Sequence, residues 1–391
     1  MSYRIEGVLR TLAPLHISTP EQSRVDPATG RYVGHGQGIP IIRHQSYPLP
    51  RRETDIDLPR DTPVIEGKTM LGGLRRAAAD LIEEQIVMRG RTIPRETYQT
   101  LRSGAPHGHP DKATPTADEF RMADANLFFG LFGGGPRMLP SHRNFDTAYP
   151  ITEPLIQAGL VPEGYEEEMI VPYDNKDGTT RMPWLTRPIY VRRHDDLVAF
   201  ADPVADQVVE GAPESIQEWQ DLVGRNDDAA EEDEEDDSKK SKSFMRGLRG
   251  FSAMEVVTVN VPFFTAMELP GRERHPEQVG FMRMALEKMA TRAVGGWSRA
   301  GFGRMDWNLH LITPDGDRAP ILIRRSGERH RALNTDNEII ADLVGQAETA
   351  LESLDLAELD SIARPDPAVV DAAREKLNKA RAKAEGANDE Q

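Results

Sequence analysis

Regular hydrophobic periodicity in this chain is confined to two blocks, and the order of segments within them limits the folds it can reach. The first block opens on SYRIEGVLRTL (2–12), where Tyr3, Ile5 and Leu9 fall on one face of a strand and Arg4, Glu6 and Arg10 on the other. It closes on EGKTMLGGLRRAAADLIEEQIV, in which Met70, Leu74, Ala77, Ala78, Leu81 and Ile82 recur at helical spacing and predict a helix over 68–88. The second block begins at MEVVTVNVPFFTAMEL (254–269), a β-branched run that reads as one strand. A helix follows over 277–294, with Val279, Met282, Leu286, Met289 and Ala293 in one row. After a glycine cluster, RMDWNLHLI (304–312) predicts a strand through Met305, Trp307, Leu309 and Leu311. From Asp336, a good N-cap residue, the sequence reads as helical and runs out into an Ala/Lys/Glu tail.

The succession strand, helix, strand, helix, strand predicts an α+β fold with a ferredoxin-like or RNA-recognition-type core and large insertions. That core spans 1–335, and 336–391 forms a C-terminal helical extension and tail. Residues 17–65, rich in Pro, Gly, Arg and Asp, read as a long irregular loop, and 89–150 as loop-rich around the apolar patch ANLFFGLFGGG (125–135). A second insertion, 145–252, is the least regular part of the chain.

With no cysteine, disulfides and thiolate metal sites are excluded. No run approaches the roughly 20 apolar residues of a membrane span, and the first ten residues lack a signal-peptide core, so the expectation is a cytoplasmic protein with no membrane partner. The net charge of −16 argues against a nucleic-acid partner only until it is divided. DDAAEEDEEDD (227–237) holds nine acidic groups, without which the net charge would be −7, and the segment 222–243 around it is expected to be a disordered loop. Basic residues cluster elsewhere, at Arg51-Arg52, Arg75-Arg76, Arg192-Arg193, Arg246 with Arg249, Arg299 with Arg304, and Arg324-Arg325. Local patches therefore carry more information than the total.

The candidate cofactor motifs fail on spacing. His107, His109 and His142 lie in loops without a carboxylate at metal-site spacing, and GHGQG (34–38) does not fit a dinucleotide loop. Lys68 follows Gly67, but no glycine stands five residues before Gly67, so a Walker loop is excluded. No cofactor and no metal are expected. The glycine cluster GGWSRAGFGR (295–304) is different in kind. Gly295, Gly296, Gly301 and Gly303 either turn the chain very tightly or let its backbone approach something large, and Arg299 and Arg304 favour an anion.

Four stretches taken in order carry a resemblance. They are APLHIST (13–19), GIPIIR (38–43) with TPVIEGKTMLGGLRRAA (62–78), ANLFFGLFGG (125–134) and GGWSRAGFGR (295–304). Together they resemble the RAMP superfamily of CRISPR-associated proteins, in particular the repeated subunit that polymerises along guide RNA in class 1 effector complexes. Type IV systems are the most similar, type III next. The resemblance covers about a third of the chain. At the start of the predicted helix Pro63, Ile65, Gly67, Thr69, Gly72, Leu74 and Arg75 match, whereas Glu66, Lys68 and Leu71 depart from the family's Pro, Ser/Thr and Lys.

The resemblance implies a non-catalytic subunit whose partners are the guide crRNA, the target nucleic acid paired to it, further copies of itself and other CRISPR effector subunits. It places Ser298, Arg299 and Arg304 against RNA phosphates, the glycines allowing close approach. Lys68, Arg75 and Arg76, at the start of the helix, join them as candidates, with Arg43 at the end of GIPIIR. It also implies a thumb-like hairpin, for which the 145–252 insertion is the place. There Trp184, Arg187, Arg192, Arg193, Arg246 and Arg249 combine basic groups with a stacking aromatic, beside Tyr190. His16 reads as a packing or capping residue. In type III subunits that cut target RNA, an Asp precedes the segment matching IPIIR; here Gln37 and Gly38 stand there. The alternative, a metal-dependent endoribonuclease, would need Asp26, Asp55 or Asp57 of the same loop to take that place.

Overall fold

A computed structural model describes residues 2–26, 32–33, 39–47, 62–104, 116–141, 143–170, 185–192, 251–326 and 330–364. Gln37, Gly38, Asp55, Asp57, His107, His109, His142, Trp184, Arg193, Arg246, Arg249, the acidic run and the tail beyond 364 lie outside these residues.

In chain order the strands begin with β1 (Tyr3–Thr11), β2 (Ser18–Val25), β3 (Tyr32–Val33), β4 (Ile39–His44), β5 (Ser46–Tyr47) and β6 (Thr62–Pro63). Helices α1 (Gly67–Met88), α2 (Arg95–Ser103), α3 (Ala117–Ala125) and α4 (Phe129–Phe132) follow. Next come β7 (Asn144–Phe145), β8 (Tyr149–Pro150), α5 (Glu153–Gln157), β9 (Thr186–Arg192), β10 (Phe251–Val257) and β11 (Pro262–Leu269). The described part closes with α6 (Pro276–Ala290), β12 (Met305–Ile312), β13 (Arg318–Pro320), β14 (Leu322–Ile323), β15 (Ala332–Leu333), α7 (Glu338–Glu352) and α8 (Leu356–Ala363).

The architecture is α+β, in two compact units. The larger unit comprises 1–15, 45–181 and 258–391. Its antiparallel sheet runs β13-β12-β1-β11-β7, with β8 also pairing β11. β1 lies between β11 and β12, in register from Tyr3 opposite Leu269 to Thr11 opposite Met305. With α1 after β1 and α6 after β11, the succession fits a βαββαβ order whose second strand is reduced to the short β7 and β8. Period-two alternation works as read: Met305, Trp307, Leu309 and Leu311 of β12 are buried, and α6 packs against that strand. On the other sheet face, Val8, Phe264 and Ala266 pack against Ile151, Leu155 and Val161 from the α5 region.

Helix α1 buries Met70, Leu74, Ala77, Ala78, Ile82 and Ile86, the predicted stripe, between α2 and α6. It stops where Gly90 takes φ 60, and Arg89 then bonds the carbonyl ends of α7 at Leu351 (2.8 Å) and Leu354 (2.7 Å). The C-terminal helices belong to this unit, since α7 packs along α6. Its cap is Asn337, whose Oδ1 accepts from Ile340 N at 3.2 Å, rather than Asp336. No helix among the described residues is long and apolar enough to cross a membrane.

The smaller unit comprises 16–44 and 182–257, with sheet order β3-β2-β4-β10-β9. Here the structure corrects two expectations. The 17–65 stretch is not wholly irregular: β2 and β4 pair with each other, and β4 runs parallel to β10 with Ile41 opposite Ala253. A strand such as STPEQSRV has no alternation to announce it and is created by pairing with distant chain. The run 254–269 is two strands in different units. They part at Thr258–Val261, where Asn260 adopts φ 65 and the Thr11 hydroxyl bonds Thr258 O (2.8 Å) and Val261 N (2.8 Å). In 89–150 the structure adds α2, α3 and α4. The start of α3 had a legible signal, a capping box in which Thr116 Oγ1 accepts from Glu119 N and the Glu119 carboxylate accepts from Thr116 N at 2.7 Å.

Candidate nucleic-acid interface

The glycine cluster is a closed turn between α6 and β12. Val294 N donates to Gly303 O (2.9 Å), Gly303 N to Pro14 O (2.8 Å), and Leu12 N to Arg304 O (2.8 Å). Gly303 has φ +77, and a Cβ there would lie 2.0 Å from Val294 O. This glycine is therefore required by the chain's own closure, which corrects the expectation that it makes room for RNA. Gly295 and Gly301 also have positive φ, and around Gly301 a Cβ would meet nothing within 4 Å. The outer arc carries Trp297, Ser298, Arg299 and Arg304, all exposed, with Gly296 half-buried behind them. Among the described residues neither Arg299 nor Arg304 has a carboxylate partner. The turn thus holds, on a hydrogen-bonded backbone, two guanidinium groups with no carboxylate partner among the described residues.

The α1 candidates separate. Gly67 packs, since a Cβ there would lie 2.1 Å from Phe145 O. Lys68 is exposed, and the Glu66 carboxylate bonds its ammonium and raises its pKa, so its charge is largely answered within the chain. Arg75 points inward. Its guanidinium donates to Leu101 O (2.9 Å), Thr100 O (3.0 Å), Phe132 O (3.0 Å) and Gly133 O (3.2 Å), and lies 5.1 Å from the Phe128 ring centre. Burial lowers its pKa to about 10, so it remains a cation at neutral pH. The expectation that Arg75 meets a phosphate is corrected: α2 covers that face of α1 and supplies carbonyls in place of water. The ANLFFGLFGG stretch is explained in the same stroke. It forms the cup for Arg75 and for buried Arg143, which donates to Leu131 O (2.9 Å) beneath the Phe132 ring.

Arg76, one residue on, faces solvent with no ion pair among the described residues. Burial and the nearby charge of Arg76 together lower the pKa of Arg292, which also pairs with Asp80. Arg292 escaped the sequence reading, although a basic residue just before a glycine cluster was a legible hint. Arg76 on α1 and Arg292 after α6 are near enough for their charges to interact, and Arg299 and Arg304 follow in the turn.

In the smaller unit Arg43 is half-buried and pairs with Glu255 (3.4 Å), whose carboxylate also accepts from His44 N (3.1 Å) and Thr186 Oγ1 (3.1 Å). Arg43, a candidate RNA contact in the sequence, therefore has its guanidinium engaged within the sheet. His16 is buried, its Nδ1 2.6 Å from Glu255 O and its Nε2 3.1 Å from Ser18 Oγ. Burial lowers its pKa, and the packing role expected of it is the one observed. Arg187 and Tyr190 of β9 are exposed and, three positions apart, face opposite sides of the sheet. Arg192 ends that strand, opposite Phe251. Asp26 follows β2, and its charge, after burial, raises the pKa of Tyr190. Among the described residues no group of three His, Asp or Glu could hold a metal ion.

No family model matches the sequence, and no curated protein matches it. Among solved structures, a chain of a structure described as a Type IV-B CRISPR complex is similar at 13% identity and a TM-score of 0.39, over 84% of this chain and 95% of that one. A likeness of that degree does not establish a shared fold.

Proposed function

We propose that this chain is a non-catalytic RNA-binding subunit of a class 1, type IV-like CRISPR effector complex, copies of which coat the spacer of a guide RNA. Such a protein holds phosphates and leaves base edges free to pair with a target, so base pairing supplies the sequence specificity. The observation that carries the reading is the hydrogen-bonded turn 294–304, which displays Arg299 and Arg304 with no carboxylate partner among the described residues. The order of the four sequence stretches supports it. The guide, the target, further copies of the chain and other effector subunits are the partners this implies, in a cytoplasmic setting.

The test is salt dependence. A folded Arg299→Ala/Arg304→Ala double variant is expected to bind a guide-like RNA more weakly, with the slope of log K against log salt reduced by about one to two units, since each phosphate contact to a single strand contributes roughly 0.7. An unchanged slope removes the turn from the interface. A target RNA paired to the assembled guide should stay intact in Mg²⁺; regularly spaced cuts would replace this reading with the endoribonuclease.

A further inference from the structure

Trp297 sits at the tip of the turn in the left-handed region, at φ 61 and ψ 26. Bulky residues rarely adopt that conformation, and glycines occupy it at Gly295, Gly301 and Gly303 of the same turn. Trp297 is 45% exposed, whereas Trp307, ten residues on, is 1% exposed in the core. No ring or hydrogen bond holds the indole among the described residues. A strained backbone that presents an unheld aromatic ring points to a task outside the fold.

The surroundings specify the task. Leu12 and Val259 are also exposed, at 47% and 53%. Their segments end at the same edge of the sheet, because Leu12 N bonds Arg304 O and Asn260 N bonds Thr11 O (2.7 Å). Trp297, Leu12 and Val259, with Arg299 and Arg304, are thus exposed residues of segments that backbone hydrogen bonds tie together at this edge. Apolar faces flanked by cations complement a nucleobase flanked by its phosphates. Resting on the reading of this turn as a phosphate-binding site, we propose that Trp297 stacks on an unpaired base of the strand whose phosphates Arg299 and Arg304 hold.

The experiment compares an oligoribonucleotide with a strand of the same length built of abasic sugar-phosphate units. Wild-type protein should prefer the intact strand, and Trp297→Ala should lose about tenfold affinity for it while binding the abasic strand unchanged. Trp297→Phe should keep most of the preference, and the emission quenching that RNA causes in wild type should shrink in that variant. Trp297→Gly suits the left-handed backbone, so it should unfold at a higher temperature than wild type yet show the same loss of preference. A structural role for the indole would lower that temperature instead and overturn the proposal. So would a preference that survives both variants, or a concentration-dependent emission shift without RNA that only Trp297 variants lose, which would assign the ring to a second copy of the chain. If Arg299→Ala/Arg304→Ala lowers the salt slope while Trp297→Ala changes nothing, stacking alone fails. An unchanged slope defeats the reading of the turn itself.

Discussion

Replacing Gly303 by Ala asks whether the turn is built as described, with Gly301→Ala as the internal standard. Both glycines lie at positive φ, +77 and +84. An L-residue there costs about 1–2 kcal/mol, and for Gly301 that is the whole expected penalty because its Cβ meets open space. At Gly303 the new Cβ would lie 2.0 Å from Val294 O, backbone against backbone, so the chain must open. Opening strains or breaks Val294 N to Gly303 O (2.9 Å) and Gly303 N to Pro14 O (2.8 Å). At roughly 1 kcal/mol net for each bond, the total reaches about 3–4 kcal/mol. Urea unfolding at constant m-value reads the difference directly as a shift in midpoint. If Gly303→Ala costs no more than Gly301→Ala, the closure is not what demands glycine, and the case for a rigid turn fails with it.

Two further expectations concern buried cations and a buried histidine. Arg283 of α6 is fully buried, its Nε and both Nη atoms have no hydrogen-bond partner among the described residues, and burial lowers its pKa to about 9. Arg283→Met should therefore be neutral or stabilising by about 1–4 kcal/mol, whereas Arg75→Met, which strands four carbonyls, should cost about 3 kcal/mol or more; paired denaturation curves check both signs. His16 has its pKa lowered by burial, against opposing effects of the Glu255 carbonyl and charge, so near pH 6.5 the unfolded chain binds more protons. Its contribution is complete above pH 6.5 and declines as pH falls through 6.5 towards the lowered folded value. A His16→Asn variant should accordingly show a shallower loss of urea midpoint from pH 8 to 5 than wild type, and parallel profiles would refute the assignment.

Local signals carried the parts of this protein that local physics controls. The alternation in β1 and β12, the apolar stripes of α1 and α6, and the place of the glycine turn follow from side-chain period and backbone conformation, which a sequence displays directly. What covers each face is a different matter, because it depends on chain brought from far away. β2 and β4 became strands through each other and through β10, and the 254–269 run divided between two units at Thr258–Val261. The arginines show the limit most plainly. Arg75 and Arg76 are adjacent and chemically equal, yet α2, the carbonyls of Phe132 and Gly133 and the Phe128 ring enclose one while the other faces solvent, and Arg43 is answered by Glu255 from 212 residues away. A guanidinium with a long apolar stem can end in water, on carbonyls or on a carboxylate, and only the tertiary structure selects among them. By the same logic the sequence marked the glycines of the turn as exceptional, but only the packing of Val294 against Gly303 separates a glycine the chain needs for itself from one that leaves room for something else.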